Sequence, residues 1–314
     1  MFKYILKRLA QSLITLFIII TVVFLMMRMM PEEGYFGEGY EKLDEEQREA
    51  ILENMGLREP LHKQLINFYK QIIKGDLGES VIYRPKVPVH TIIRFKMPYS
   101  LKFGLMAMGL SLIVGVPLGI AMALNQDNLL DKVGNMYIVL INGVPAAIYY
   151  LFLQVYITGL FGLPILFSED IKASWILPII SMSLGGIATY GMWMRRYMID
   201  EMNKDYVQFA KAKGLKKSQI MIQHVLRNAF VPMAQYLPSA ILFTIAGSIY
   251  IESLYSIPGM GGLLVDAIQR QDNTLVQALV LIYSSIGILG LFLGDVFMGI
   301  LDPRIKLGKK KGAK

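Results

Sequence analysis

Cysteine is absent from the 314 residues, which excludes disulfides, thiolate catalysis and iron–sulfur ligation together and leaves the redox compartment open. Histidine is scarce: His62, His90 and His224 are too scattered to read as a metal site. No G-x-x-x-x-G-K-[ST] occurs, so the chain has no P-loop for nucleotide, and H-E-x-x-H and G-x-S-x-G are missing as well. An intramembrane aspartyl protease needs paired aspartates, and Asp295, inside the last apolar run, has no partner aspartate in another run. No repeat of 20–50 residues is evident, which removes the solenoid folds.

What is present is hydrophobic: 54% of residues are apolar and the mean hydropathy is +0.46, in blocks of membrane-spanning length. The net charge of +8 does not call for a nucleic acid, because the bases gather at the chain ends and in a central loop, where a lipid bilayer and topology account for them. The first block, 9–27, follows Lys3, Lys7 and Arg8. It is longer than a signal-peptide core and no small-x-small site follows, so it reads as an uncleaved span with its N-terminus inside and Arg28 snorkelling beyond it. Further blocks at 101–124, 133–161, 175–194, 231–251 and 275–301 bring the count to six. In 101–124, Gly104, Gly109, Gly115 and Gly119 permit close helix approach. Trp175 marks an outer interface and Arg195 with Arg196 an inner one, and Pro232, Pro238 and Gly247 favour a kink in the fifth span.

The fold expected is therefore an all-α polytopic membrane protein with six transmembrane helices and both termini cytoplasmic. By count, 18 Lys and Arg fall in cytoplasmic segments and 14 outside, nearly all of the latter in the long segment after span one, which votes weakly on orientation. That segment, 31–98, predicts a small extracytoplasmic helical insertion. Asp44 with Gln47 makes a capping box and Gly56 a stop, and Pro60 opens a second helix with the stripe Leu61, Leu65, Phe68 or Tyr69, and Ile72, ending at Gly75. It is either a passive loop or a working cap. The division expected is 1–30 for the first span, 31–98 for the cap and a pre-membrane helix, and 99–314 for a five-span core.

Within that core, 195–232 is a basic, amphipathic interruption carrying eight Lys and Arg, expected to face the cytoplasm. Met198, Met202, Tyr206 and Phe209 recur at helical spacing, Gly214 ends that helix, and Ser218 caps a second one with the stripe Ile222, Val225, Leu226 and Ala229. The stretch D-Y-V-x-x-A-x-A-K-G-L, from Asp205 to Leu215, followed by H-x-L-R-N-A-x-x-P, from His224 to Pro232, resembles the coupling loop of permease subunits of ATP-binding-cassette importers, in their peptide and nickel branch. The general pattern of that family, E-A-A, three residues, Gly, nine residues, Ile, one residue, Leu-Pro, keeps Ala210 and Gly214. It departs at Gln208, Phe209, His224 and Arg227, as that branch usually does. G-D-L-G-x-S at 75–80, the P-V at Pro88 and Val89, and E-S-L-Y-S-I-P-G-M-G-G-L at 252–263 resemble the same branch, and L-D-P-R-I-K closes the chain at 301–306.

The resemblance implies a permease subunit in a prokaryotic cytoplasmic membrane, without enzymatic activity or a cofactor of its own. Its partners would be a second permease, two cytoplasmic ATPases that bind the ATP, and an extracytoplasmic solute-binding protein, with peptide as substrate. It also implies that Asp205, Tyr206, Phe209, Ala210, Ala212, Lys213, Gly214 and Leu215, in the loop 195–230, couple to an ATPase. Glu252 either contacts a partner or caps the following turn. Asp295 either lines the path or subunit interface or makes a buried hydrogen bond to a neighbouring helix, since a carboxylate facing lipid costs at least roughly 2.5–3.5 kcal/mol. Nickel, glutathione-like solutes, antibiotic peptides and oligosaccharides remain alternative cargoes. A gradient-driven transporter would need ion sites near the membrane centre, for which Asp295 alone stands.

Overall fold

The computed structural model describes residues 2–36 and 41–301. The closing motif at 301–306 thus falls outside them apart from Leu301. Among the described residues five helices are long and apolar enough to cross a membrane, and a bent pair makes a sixth if counted as one span. The first is α1 (Phe2–Arg28). The cap follows, with α2 (Glu45–Asn54), α3 (Leu61–Ile73) and a two-residue antiparallel ladder of β1 (Glu79–Ser80) with β2 (Val87–Pro88). Both arms of the Asp44–Gln47 capping box form, and Gly56 at φ +70 turns the chain beyond α2. The stripe of α3 docks on α1, where Phe68 stacks on Phe24 at 5.2 Å and Tyr69 on Phe17 at 5.1 Å, and the Tyr69 hydroxyl donates to the Phe17 carbonyl.

Helix α4 (Val89–Leu124) runs through 98 and 99, so the pre-membrane helix and span two are one rod of 36 residues. At 1.5 Å per residue it is about 54 Å long, well beyond a hydrocarbon core of about 30 Å, so it projects into the cap. Its most extensive partner is α7 (Ile176–Met202). The backbones approach so closely that a Cβ at Gly115 would lie 2.8 Å from the Ile187 carbonyl oxygen, and one at Gly119 would meet that of Gly191. Gly104 faces Thr244 instead, and a Cβ at Gly109 would meet nothing within 4 Å, so that glycine is not required by this packing.

The third expected span is broken. Helix α5 (Leu129–Gly143) and α6 (Ala146–Phe161) meet at 106°. Pro145 dictates the place, since the residue before a proline avoids helical geometry and Val144 is extended at ψ 131. Within α6 a π-helical stretch, Leu153–Ile157, turns Gln154 inward to donate to the Leu254 and Ile165 carbonyls.

The fifth span is also in pieces. Helix α9 (residues 217–234) runs through a π-helical stretch, Met221–Leu226, and continues past Pro232. The chain breaks at 235–236, and α10 (Leu237–Ala246) restarts with Pro238 in its first turn, where the missing N–H costs nothing. Gly247, at φ +74 and ψ −177, separates it from α11 (Ile249–Leu254), and α12 (Met260–Gln269) and α13 (Asn273–Leu301) complete the chain. Helix α13 packs along both α1 and α10.

Two buried aspartates that the sequence reading passed over fasten this arrangement. Asp272, fully buried, caps α13 by accepting from the Leu275 N–H. Its other oxygen accepts from the Ser80 hydroxyl at 2.6 Å and from the backbone N–H groups of Val81, Ile82 and Tyr83 at 2.9–3.1 Å, so the β1–β2 loop wraps it as an anion nest. Asp131, 2% exposed at the start of α5, takes a two-pronged bond from Arg195 of α7 at 2.6 and 2.7 Å and further donors from Asp127 and Asn135.

Asp272→Asn leaves buried donors facing an amide and should cost about 3 kcal/mol. Limited proteolysis would read this as new cleavage within 80–86, and a cap as resistant as the parent's would count against the strap. For the second pair, a double-mutant cycle of Asp131→Asn and Arg195→Gln should give a coupling of about 2 kcal/mol or more in thermal unfolding of the solubilised chain. Additive single effects would mean the ion pair does not hold α5 to α7.

Candidate functional site

At the end of the bundle opposite the cap, α7 stops at Met202, where the Asn203 amide turns back to the Ile199 carbonyl at 3.1 Å and Lys204 is extended. Helix α8 (Asp205–Ala212) then starts with Asp205 in its first turn, a carboxylate at the positive end of a helix dipole. The four residues expected on one helical face therefore lie on two helices, Met198 and Met202 on α7 and Tyr206 and Phe209 on α8. Tyr206 folds α8 back by donating to Glu201 at 2.6 Å. Burial, with the Glu201 carboxylate beside it, pushes the Tyr206 hydroxyl up to about 12.

The buried side of α8 is Val207 and Ala210, fully and nearly fully covered, while Phe209 stands 69% exposed among Gln208, Lys211, Ala212 and Lys213, which are exposed as well. Val207 and Ala210 pack with Met194 and Met198 of α7, Ala123 of α4 and Ile220, Val225 and Ala229 of α9. A short helix is thus buried along one side and presents one aromatic ring outward.

The end of α8 explains the A-K-G-L sequence. Gly214 at φ +75 donates to the Lys211 carbonyl at 2.9 Å, and Leu215 donates to the Ala210 carbonyl at 3.3 Å, the paired bonds of a Schellman cap. Leu215 closes apolar contact with the cluster that holds Ala210. A Cβ at Gly214 would meet nothing within 4 Å, so glycine is required there by backbone conformation and not by space.

Helix α9 begins two residues earlier than expected, with Lys216 and not Ser218 as its cap. Its inward residues also differ. Ile220, Val225, Ala229 and Met233 are buried, and Ile222 is 65% exposed. The π-helical stretch widens the turn, so the residue beneath Val225 is Ile220, five back, and not Ile222.

The other two candidate residues lie elsewhere. Glu252, 1% exposed, has the capping role: its carboxylate accepts from the Ser100 hydroxyl at 2.7 Å and from the N–H groups of Ser248, Gly261 and Gly262. It sits so close to Gly259 that a side chain there would collide with it, while a Cβ at Gly261 would collide with the backbone of Ser248 and Ile249. Asp295 forms an ion pair with Arg8 of α1 at 3.3 Å, both partly exposed, near the ends of α13 and α1 away from the cap. The structure does not bring Glu252 and Asp295 together with each other or with α8. Asp131 was missed although Asp three residues after Asn128 stands in a polar turn. Asp272 had a plainer signal, an aspartate directly before a long apolar run.

Residues 115–307 match the family described as binding-protein-dependent transport system inner membrane component, and residues 1–88 match the N-terminal region of such membrane components. The dipeptide transport system permease protein DppB of Lactococcus lactis is 32% identical over 307 residues, 98% of this chain and 100% of that one. The oligopeptide transport system permease protein OppB of Haemophilus influenzae is 33% identical over 98% of this chain and 100% of its own. The glutathione transport system permease protein GsiC of Pectobacterium atrosepticum is 30% identical over 98% and 99%. A chain of the inward-facing MetNI methionine ABC transporter superposes with a TM-score of 0.52 at 12% identity, over 67% of this chain and 96% of that one, a likeness of fold. By these matches along nearly its whole length, the chain belongs to the family of inner membrane components of binding-protein-dependent, ATP-binding-cassette transport systems.

Proposed function

We propose that this chain forms half of the translocation path of a peptide importer, pairs with a second permease, and receives the ATP-driven motion through α8. In this reading the α8 end of the bundle faces the cytoplasm and two ATPases, and the cap faces an extracytoplasmic solute-binding protein. The observation that carries it is Phe209, an exposed ring on a helix whose other face, Val207 and Ala210, is buried in a cluster with residues of α4, α7 and α9. A ring anchored in a partner's groove transmits displacement only if the helix bearing it cannot yield, and Val207, Ala210, the Tyr206–Glu201 bond and the Gly214 cap all restrain it. Closure of the ATPases below would then rock the spans above between inward- and outward-facing states. ATP stays with the partners. Peptide as cargo is supported by the dipeptide and oligopeptide relatives, and the glutathione relative keeps a peptide-like small solute as the second reading.

Gly214→Val forces a branched side chain into left-handed backbone, at roughly 1–2 kcal/mol, and should reorient α8 while leaving the spans inserted. Normal membrane insertion, reduced ATPase co-purification and low uptake are expected, with Lys216→Glu, at an exposed position, doing much less. Normal uptake by the Gly214→Val complex would reduce the loop to a linker.

Phe209→Ala should spare the fold, since the ring is exposed, yet weaken ATPase association about tenfold or more, as truncation of a seated aromatic does. Unchanged co-purification would remove Phe209 from the interface. In the same vesicles uptake should require ATP, and uptake driven by an ion gradient alone would move the chain to the secondary transporters.

A further inference from the structure

Helix α3 reaches α1 well inside its apolar run. Phe68 stacks on Phe24, and Tyr69 stacks on Phe17 while its hydroxyl lies 2.7 Å from that of Thr21. All three of these α1 residues fall within 9–27. At 1.5 Å per residue Phe24 is about 6 Å and Phe17 about 16 Å inward of Arg28 along α1, against a hydrocarbon core of about 30 Å. Adjacent residues of α3 thus meet α1 residues two turns apart, so the helices cross, and α3 lies over the cap-side half of the first span.

The order of these contacts orients α3. Tyr69, which reaches the deeper residue, shares a helical face with Ile66 and Ile73, three residues before it and four after. Phe68, which reaches the shallower one, shares its face with Gln64, whose amide bonds to the Leu57 and Glu59 carbonyls of the cap. The side of α3 turned toward the membrane centre is therefore the one that carries Ile66, 52% exposed, and Ile73, 83% exposed. Next to this edge and away from α1 come Lys63, Lys70 and Lys74, all exposed. Among the described residues none of these lysines meets a carboxylate within ion-pair distance. Helix α3 itself has no acidic residue, whereas four of the ten residues of α2 are Glu.

We infer that α3 is a membrane-surface helix seated in the cap-side leaflet, with Ile66 and Ile73 among the acyl chains and Lys63, Lys70 and Lys74 at the headgroup phosphates. An apolar face bordered by lysines is the composition of a helix that lies in the interface plane. The lysine stems extend from that depth to the phosphates while the isoleucines point the other way. The occupant is phospholipid and not a soluble protein, because a protein docked from outside would have to enter the leaflet to reach Ile73. The inference rests on the first span and not on the transport reading.

Because the chain has no cysteine, spin labels can be placed singly through Ile66→Cys and Ile73→Cys, with Ile14→Cys in the first span and Glu53→Cys in α2 as references. All four positions are exposed, so labelling leaves the fold intact. The full chain in phospholipid nanodiscs is probed for collisions with oxygen, which concentrates in hydrocarbon, and with a water-soluble nickel chelate. Labels at 66 and 73 are expected to show the oxygen-to-nickel ratio of position 14, severalfold above that of position 53. A ratio at either position equal to that of position 53 puts this face in water and overturns the inference. Shielding of either label from both reagents, in the chain alone or only in the assembled importer, puts a protein there and overturns it as well.

Discussion

A carboxylate removed from water costs several kcal/mol unless its lone pairs meet donors, and the long-range assembly of this bundle hangs on three such groups. Asp272 joins the β1–β2 loop to α13, Glu252 joins α11 and α12 to α4 through Ser100, and Asp131 joins α5 to α7 through Arg195. Each fastens segments far apart in sequence, up to 192 residues for Ser80 and Asp272. Apolar packing in a bilayer has little preference for one helix arrangement over another, since lipid is as apolar as leucine. A buried acid does have a preference, because only one arrangement brings the donors to it.

The same requirement explains several glycines and turns. The N-terminus of α12 supplies Gly261 and Gly262 N–H groups to Glu252, and residue 259 must leave room for the carboxylate. The positive φ of Gly247 places the Ser248 N–H against the same oxygen as the Ser100 hydroxyl. What looks in sequence like a proline–glycine turn is the shell of one buried charge-bearing group.

Local signals were legible in the sequence and long-range ones were not. The Asp44 capping box and the stops at Gly56 and Gly214 depend on neighbours within a few residues, and all formed, while the stripe of α3 formed in part, with Phe68 and Tyr69 on α1 and Leu61 exposed. Periodicity misled where the helix is not α-helical: the π-helical stretch at Met221–Leu226 exchanges Ile222 for Ile220 on the buried face. Hydropathy gave no sign of the bend within 133–161, because Pro145 breaks the backbone without breaking the apolar run. In the loop, the stripe put Phe209 on one helical face with Met198, Met202 and Tyr206. The break at Asn203–Lys204 resets the helical phase, so Val207 and Ala210 turn inward and the aromatic ring is left outside, where a partner can reach it.

That reset bears on how force would travel. Asp131 and Arg195 tie α5 to α7, the glycine contacts tie α4 to α7, and the cluster around Met198 ties α8 and the start of α9 to both. A displacement applied at Phe209 therefore meets a single packed body and not a loose loop. Beyond it, the backbone hydrogen bonding of the fifth span is already interrupted at 235–236 and again at Gly247, whereas α4 and α7 run unbroken through the bundle. Rotation of one packed body against another costs least where no helical bonds have to be broken. Helix α4 belongs to both sides of these interruptions, since it packs on α10 and holds Glu252 and the start of α12 through Ser100, so a displacement at Phe209 would have a continuous packed route from α8 to the α10–α13 side.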